Sequence, residues 1–415
     1  MKNFYVTIFA LTAMVFAVSC SGDDNGTVIP TDDGDDGSVV NTRLSGQITE
    51  DMTLTNDLIW ELEGRVTVTD GVTLSIEEGT VIKAFAGQEA NASTLIIARG
   101  GKIEANGTAS NPIIFTSIAD NIQVGQSSGS NLSQNDRGLW GGLLILGRAP
   151  ISVDGNATQA QIEGIPASDT NGLYGGNNPG DDSGTLNYVS IRHGGTLIGE
   201  GNEINGLTLG GVGSGTTISN IEVVGNVDDG VEFFGGTVNA SNIVVWAQGD
   251  DGLDIDQAYS GTITNSVVVL GDISDHGLEI DGPEGSLLGS FVIDGLTMIG
   301  NLNTENGEYA DYRDGAMGTT KNVLAIGFKA ESDVELDNNG VAQNFLNGDI
   351  IFQNWVVDVT PANEIFIEKT GTGETEIILN PDFTTRAANW SANGTTGGAN
   401  LSSFGWTYAS SRGAF

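Results

Sequence analysis

A short β-branched strand carrying an asparagine returns along this chain at a fixed interval, and that interval limits what it can fold into. "TTISNIEVV", "TVNASNIVVW" and "TITNSVVVL" place Asn220, Asn242 and Asn265 at the same point, 22 and 23 residues apart. The register extends to Asn187 in "GTLNYVSI", Asp294 in "FVIDGLTM", Asn322 in "TTKNVLAI" and Asn354 in "IFQNWVV", with gaps of 28 to 33 residues, as if loops had been inserted into a basic coil. Such a period suits a solenoid whose coils stack about 4.8 Å apart. A β-propeller needs about forty residues and four strands per blade, which the spacing does not supply. The expected fold is therefore all-β, a right-handed parallel β-helix. Stacked amides from Asn187, Asn220, Asn242, Asn265, Asn322 and Asn354 would form a ladder along its axis. Asn also favours turns for local reasons, but so many placements in one register favour the ladder.

The rest of the body agrees. From Arg43 onward, aliphatic runs such as "GRVTVT", "VTLSIEEGTVIKA" and "WGGLLILGRAPISV" alternate with Gly, Asn, Asp and Thr turns, and no long amphipathic helical pattern occurs. A polar insertion, Gly164 to Gly184, interrupts the coils, and such loops are where solenoids carry binding surfaces. We place the β-helix at 43–380. Residues 381–415 break the repeat, contain Trp390, Phe404, Trp406 and Phe415, and are expected to cap the last coil, because an open solenoid end exposes strand edges.

The single cysteine, Cys20, closes the segment "MKNFYVTIFALTAMVFAVSC", in which Lys2 precedes an apolar run from Phe4 to Val18. The run is short for a bilayer span and has the anatomy of a secretory signal. With Ala17, Val18 and Ser19 before it, Cys20 looks like the lipidated residue of a bacterial lipobox, Ala17 standing where Leu is usual. The alternative is an ordinary cleaved signal with an incidental cysteine. Residues 1–19 are then a lipoprotein signal peptide, and 20–42, rich in Asp, Gly and Ser, a solvated tether. The expected location is the outer membrane through lipidated Cys20, with the body exposed at the cell surface. A formal charge of −39, from 15 basic and 54 acidic residues, argues against nucleic-acid binding.

"LTLGGVGSGTTISNIEVVGNVDDGVEFFGGTVNASNIVVW", together with "GTASNPIIFTS" and "WGGLLILGRAPI", resembles a group of right-handed parallel β-helix surface lipoproteins of the Bacteroidota. The acidic stretch after Cys20 resembles the surface-export signal of such lipoproteins. The resemblance implies fold and surface location and carries no catalytic assignment.

Three acidic clusters, "VDDGVEFFGG", "GDDGLDIDQ" and "SDHGLEIDG", repeat with the coil. Aligned, they put Asp228, Asp250 and Asp275 in one row, Glu232, Asp254 and Glu279 in a second, and Asp256 and Asp281 in a third. Strand alternation turns Leu253 and Ile255 inward, so the acids are expected in columns on the outer surface. Two unit charges about 4.8 Å apart repel by ~1 kcal/mol in water and ~3 to 4 kcal/mol at an effective dielectric near 20. Several such pairs rival a domain's whole stability of about 5 to 15 kcal/mol. A hard cation is the simplest counterweight, and Ca²⁺ suits carboxylate cages; protonation is another, and solvated Asp-Gly turns on a screened surface a third. The candidate ligands are Asp228, Asp229, Glu232, Asp250, Asp251, Asp254, Asp256, Asp275, Glu279 and Asp281.

Two functional readings follow. The first is a non-enzymatic surface protein whose cation-loaded acidic face binds glycan, matrix or protein partners. The second is a calcium-dependent polysaccharide lyase or glycoside hydrolase, with Asp251, Asp254 and His276 as candidate acid and base and Arg192 or "DYRDG" (Asp311 to Gly315) as a cationic partner. Scarce basic residues favour the first.

Overall fold

The computed structural model describes residues 41–198, 204–304, 306–358, 365–379, 391–392 and 396–415. The signal segment, Cys20 and nearly all of the tether lie outside them.

Twenty-four strands join in one parallel network, with an isolated two-stranded pair beside it. The chain is a right-handed parallel β-helix. Each repeating coil consists of one long strand bent at its middle, such as Thr217–Val224, Asn239–Trp246 and Thr262–Val269, followed by a short one, such as Val231–Phe234, Leu253–Asp256 and His276–Ile280. The two halves of the long strands build two sheets and the short strands a third. That third sheet runs from 66–68 through Thr94–Ile97, Leu143–Leu146 and Leu207–Gly210 to Val334–Leu336 and Phe366–Glu368. Inward residues stack in continuous files, Leu207, Val231, Leu253, Leu278, Ala310 and Val334 in one, Leu209, Phe233, Ile255, Ile280, Tyr312 and Leu336 in the next, all fully buried in a single core.

The bend of the long strand explains the asparagines. Asn220, Asn242, Asn265, Asn322 and Asn354 all have φ between 53° and 56°, a left-handed conformation that Asn tolerates better than most residues. Their amides bond along the axis: Asn242 Nδ2 donates to Asn220 Oδ1 (3.0 Å), Asn265 to Asn242 (2.5 Å) and Asn354 to Asn322 (2.9 Å). One part of the expected register needs correction. Asn187 pairs with Ser219 and Asp294 with Thr264, so both stand one residue ahead of the bend, which Tyr188 (φ 51°) and Gly295 (φ 80°) occupy. Their side chains still reach the ladder, accepting from Asn220 (2.8 Å) and Asn322 (2.7 Å). Asp294 cannot donate onward, so the run of amides breaks there, and Asn265 Oδ1 instead accepts the backbone N–H of Asn400.

Two segments cover the outside of this tube. The chain between 150 and 176 packs Ile151, Ile162, Ile165 and Tyr174 onto Ile96, Leu144, Leu146 and Phe234, the outer face of the early third sheet. Of the C-terminal segment expected as an end cap, Ser391–Ala392 pairs with Val356–Val357 on the last long strand, while the rest takes another course. Residues 381–390 fall outside the described residues, but 399–415 run back along the flank of the second sheet, where Phe404 and Ala409 pack on Val244, Val267 and Val269, with Trp246 half-buried beside them. Trp406 meets Tyr188 edge-on at 5.3 Å between ring centres. Those strands are thus apolar on both faces, which explains their unbroken Ile/Val runs.

Candidate functional site

The repeated Asp-Asp-Gly and Asp-His-Gly corners lead into the short strands, and their glycines are fixed by contact. A Cβ on Gly230 would come within 2.6 Å of the Gly252 carbonyl oxygen, and one on Gly252 within 2.5 Å of that of Gly277. The coils touch here, so only glycine fits, and each preceding acid is held at a defined height on the stack.

From these corners the outer face of the third sheet continues as one file. Thr208 pairs with Glu232, Glu232 with Asp254, Asp254 with Glu279, Glu279 with Asp311 and Asp311 with Glu335. The file of Glu232, Asp254 and Glu279 matches the sequence register and extends two coils further than expected. The expected exposure is corrected: Asp229, Glu232, Asp251 and Asp254 are between 1% and 8% exposed. They point out of the tube but into a groove walled by the 150–176 segment and by loop 281–290, which is tied to it where Gly285 N–H donates to Ser152 Oγ and Asp154 N–H to Glu284 Oε2.

Asp229, Glu232 and Asp254 each turn a carboxylate oxygen to within 4.8 Å of the others, and Asp229 forms a second such set with Asp228 and Asp250 at the more open end. Asp229 Oδ1 also accepts the backbone N–H of Asp251 (2.9 Å), and Asn205 Nδ2 donates to Glu232. Asp254 Oδ1 is buried with no hydrogen-bond partner. Among the described residues no Lys, Arg or His ion pair reaches this trio. Burial first, and then mutual repulsion, push all three carboxyls well above the usual range. Oxygen donors alone, crowded and partly unsatisfied, fit a hard divalent ion such as Ca²⁺.

The remaining candidates are engaged elsewhere. Asp251 accepts both the backbone N–H and Nδ1 of His276 (2.8 and 2.9 Å), and Asp275 lies 3.8 Å from the same ring. Burial opposes the imidazolium, but the Asp251 hydrogen bond and the acids around it raise His276 to about 9. Glu279 and Asp281 pair with Arg313, whose guanidinium grips Asp281 through two 2.9 Å bonds. Asp256 Oδ1 accepts the N–H of Gln257. Of the catalytic candidates, then, Asp251 and His276 form a pair, and Asp254 belongs to the trio. Arg192 is remote from this groove, buried on the second sheet with Glu222 at 3.6 Å.

The sequence reading missed Glu308, Asp311, Asp333, Glu335 and Asp337, which form two further convergent sets on the later coils. Their signal was available in "DVELD", which alternates acids with the inward Val334 and Leu336, and in Asp311 between the inward Ala310 and Tyr312 of "EYADY", but longer and irregular loops between coils hid the register.

Fold and groove together define a parallel β-helix with an acidic file along the outer face of its third sheet. The chain belongs to the family described as the pectate-lyase-like beta helix domain, whose match spans residues 46–408. No curated protein and no solved structure matches it.

Proposed function

We propose that this is a lipid-anchored surface β-helix that acts as a non-enzymatic binding protein, holding a divalent cation, Ca²⁺ by preference, between Asp229, Glu232 and Asp254. The surrounding acidic wall then receives glycan, matrix or protein partners. The observation that carries this reading is the buried trio itself, three carboxylates with an unpartnered Asp254 oxygen and no basic side chain among the described residues to neutralise them. The anchor rests on the sequence around Cys20; among the described residues no helix is long and apolar enough to cross a membrane.

A family description that likens the fold to pectate lyase concerns architecture and lends little to activity. The state of His276 and Arg313 beside the trio also argues for binding. A general base works best with a pKa near the operating pH, whereas His276 is held protonated by Asp251 and Arg313 is tied to Glu279 and Asp281.

Metal analysis of the purified protein, calorimetric titration with Ca²⁺ after chelation, and a binding screen against uronic-acid and neutral polysaccharides test the proposal. Stoichiometric Ca²⁺ and saturable glycan binding without unsaturated products or new reducing ends are expected. Turnover abolished by Asp251→Ala or Asp254→Ala overturns the non-enzymatic reading, and absence of metal binding removes the site. Labelling with a radioactive fatty acid that persists in Cys20→Ser would remove the anchor.

A further inference from the structure

The groove does not end with the trio. Two coils further on, Glu308, Asp333 and Glu335 bring carboxylate oxygens within 4.8 Å of one another, and Asp311, Glu335 and Asp337 do the same, with Glu335 common to both sets. Asp333 and Asp311 are 8% and 9% exposed. Three buried oxygens of these acids, Glu308 Oε2, Asp333 Oδ1 and Asp311 Oδ1, have no N–H or hydroxyl to accept from, and Glu308 and Asp333 can be joined only by sharing a proton. Leaving such groups unsatisfied costs on the order of 1 to 3 kcal/mol each, more for charged ones.

The basic residues present do not cancel them. Lys369 gives its short contact, 2.6 Å, to Glu335 and stands 3.9 Å from Asp333. Arg313 is 3.9 Å from Asp311 while committed to Glu279 and Asp281. Five carboxylates thus face one ammonium, the edge of one guanidinium and the His276 imidazolium, which pairs in register with Glu308 and acts on Asp311. No Cys or His is among the five, which argues against the soft and borderline ligand sets. An ion small enough to enter, binding oxygen alone, fits.

We infer that Glu308, Asp333 and Glu335, with Asp311 alongside, form a second divalent-cation site, suited to Ca²⁺, which takes several carboxylate oxygens in flexible geometry. Lys369 occupies the rim as a competing charge. This site is independent of the trio.

The test titrates the full chain, stripped with chelator and desalted, with Ca²⁺ alone by calorimetry and equilibrium dialysis. The parent is expected to bind one ion more than the double variant Glu308→Gln/Asp333→Asn, whether or not Asp229→Asn/Asp254→Asn also loses one; the two variants therefore report separately on this site and on the trio. Lys369→Met, which leaves every carboxylate in place, is expected to bind the affected ion at least tenfold more tightly. An unchanged number of ions in Glu308→Gln/Asp333→Asn overturns the inference. If that variant does not fold, as circular dichroism reports, unchanged Ca²⁺ affinity in Lys369→Met overturns it instead.

Discussion

The backbone N–H of Ala409 donates to Oε1 of Glu222 at 2.8 Å, joining residues 187 apart in the chain. Glu222 is fully buried; Ser190 donates to its other oxygen (2.6 Å), and Arg192 bonds to Ser190 (2.7 Å) while stacking over the ring of Tyr408. The C-terminal segment therefore completes a charged network on the flank and covers the apolar strands around it. Phe404→Ala, which empties the centre of that contact, should cost about 3 to 5 kcal/mol. Urea unfolding followed by circular dichroism measures it; a loss below about 1 kcal/mol would mean that the segment is only loosely laid on.

The ladder predicts an order of stabilities. Asn242→Ala loses the amide bonds to Asn220 and from Asn265 and forces a Cβ-bearing apolar residue to keep φ 56°, together about 2 to 4 kcal/mol. Asn242→Gly keeps the conformational freedom and loses only the bonds, about 1 to 2 kcal/mol. Parent, glycine variant, alanine variant is the expected order in chemical denaturation, and an alanine variant as stable as the glycine one contradicts the assigned bend.

At the trio the same substitution should act in opposite senses with and without metal. Asp254→Asn removes one of three repelling, buried carboxylates, so in chelator it should stabilise by about 1 to 3 kcal/mol. In millimolar Ca²⁺ it should instead fall below the parent, because the parent gains its ligand's binding free energy. Paired thermal melts in EDTA and in Ca²⁺ read the crossing.

Stability of the metal-free protein should decline as pH rises. Asp250 is pushed up to about 6 and Asp256 to about 7, in each case chiefly by burial. The folded chain therefore binds more protons than the unfolded one from about pH 4 to 7 and loses stability across that window. His276, burdened by burial but raised overall to about 9 by Asp251, stabilises fully below about 6.5 and loses that contribution between about 6.5 and 9. Melting temperatures across pH 4 to 9 in chelator should fall throughout, and Ca²⁺ should flatten the slope. A midpoint that climbs with pH in chelator contradicts these environments.

Much of this was legible in the sequence, because a solenoid repeats one contact set and so writes its period into the chain. Asn220, Asn242 and Asn265 gave the register, and Glu232, Asp254 and Glu279 gave the acidic file. What failed depended on partners distant in sequence. Asn187 matches the ladder residues in type and Asp294 in shape, yet the pairing of their strands sets both one position early. Glu222 appears to spoil an apolar strand until Arg192 and the returning segment are seen around it. The burial of Asp229 and Asp254 was invisible because alternation tells which way a side chain points from the tube and says nothing of what an inserted loop lays over it.

The glycine corners at 230, 252 and 277 have a consequence for how such a groove can change. Each abuts the backbone of the coil that follows, and the Asn242 amide serves its two neighbours in the same way, so the stretch from one asparagine to the next is interchangeable with its copies. Duplicating or excising it in frame preserves the coil-to-coil junctions while adding or removing one step of about 4.8 Å and one set of acids, and shifts by that step the flank that the returning segment spans between Glu222 and Asn265. The number of acids along such a wall is thus a length that a gene can edit by unequal recombination, one coil at a time.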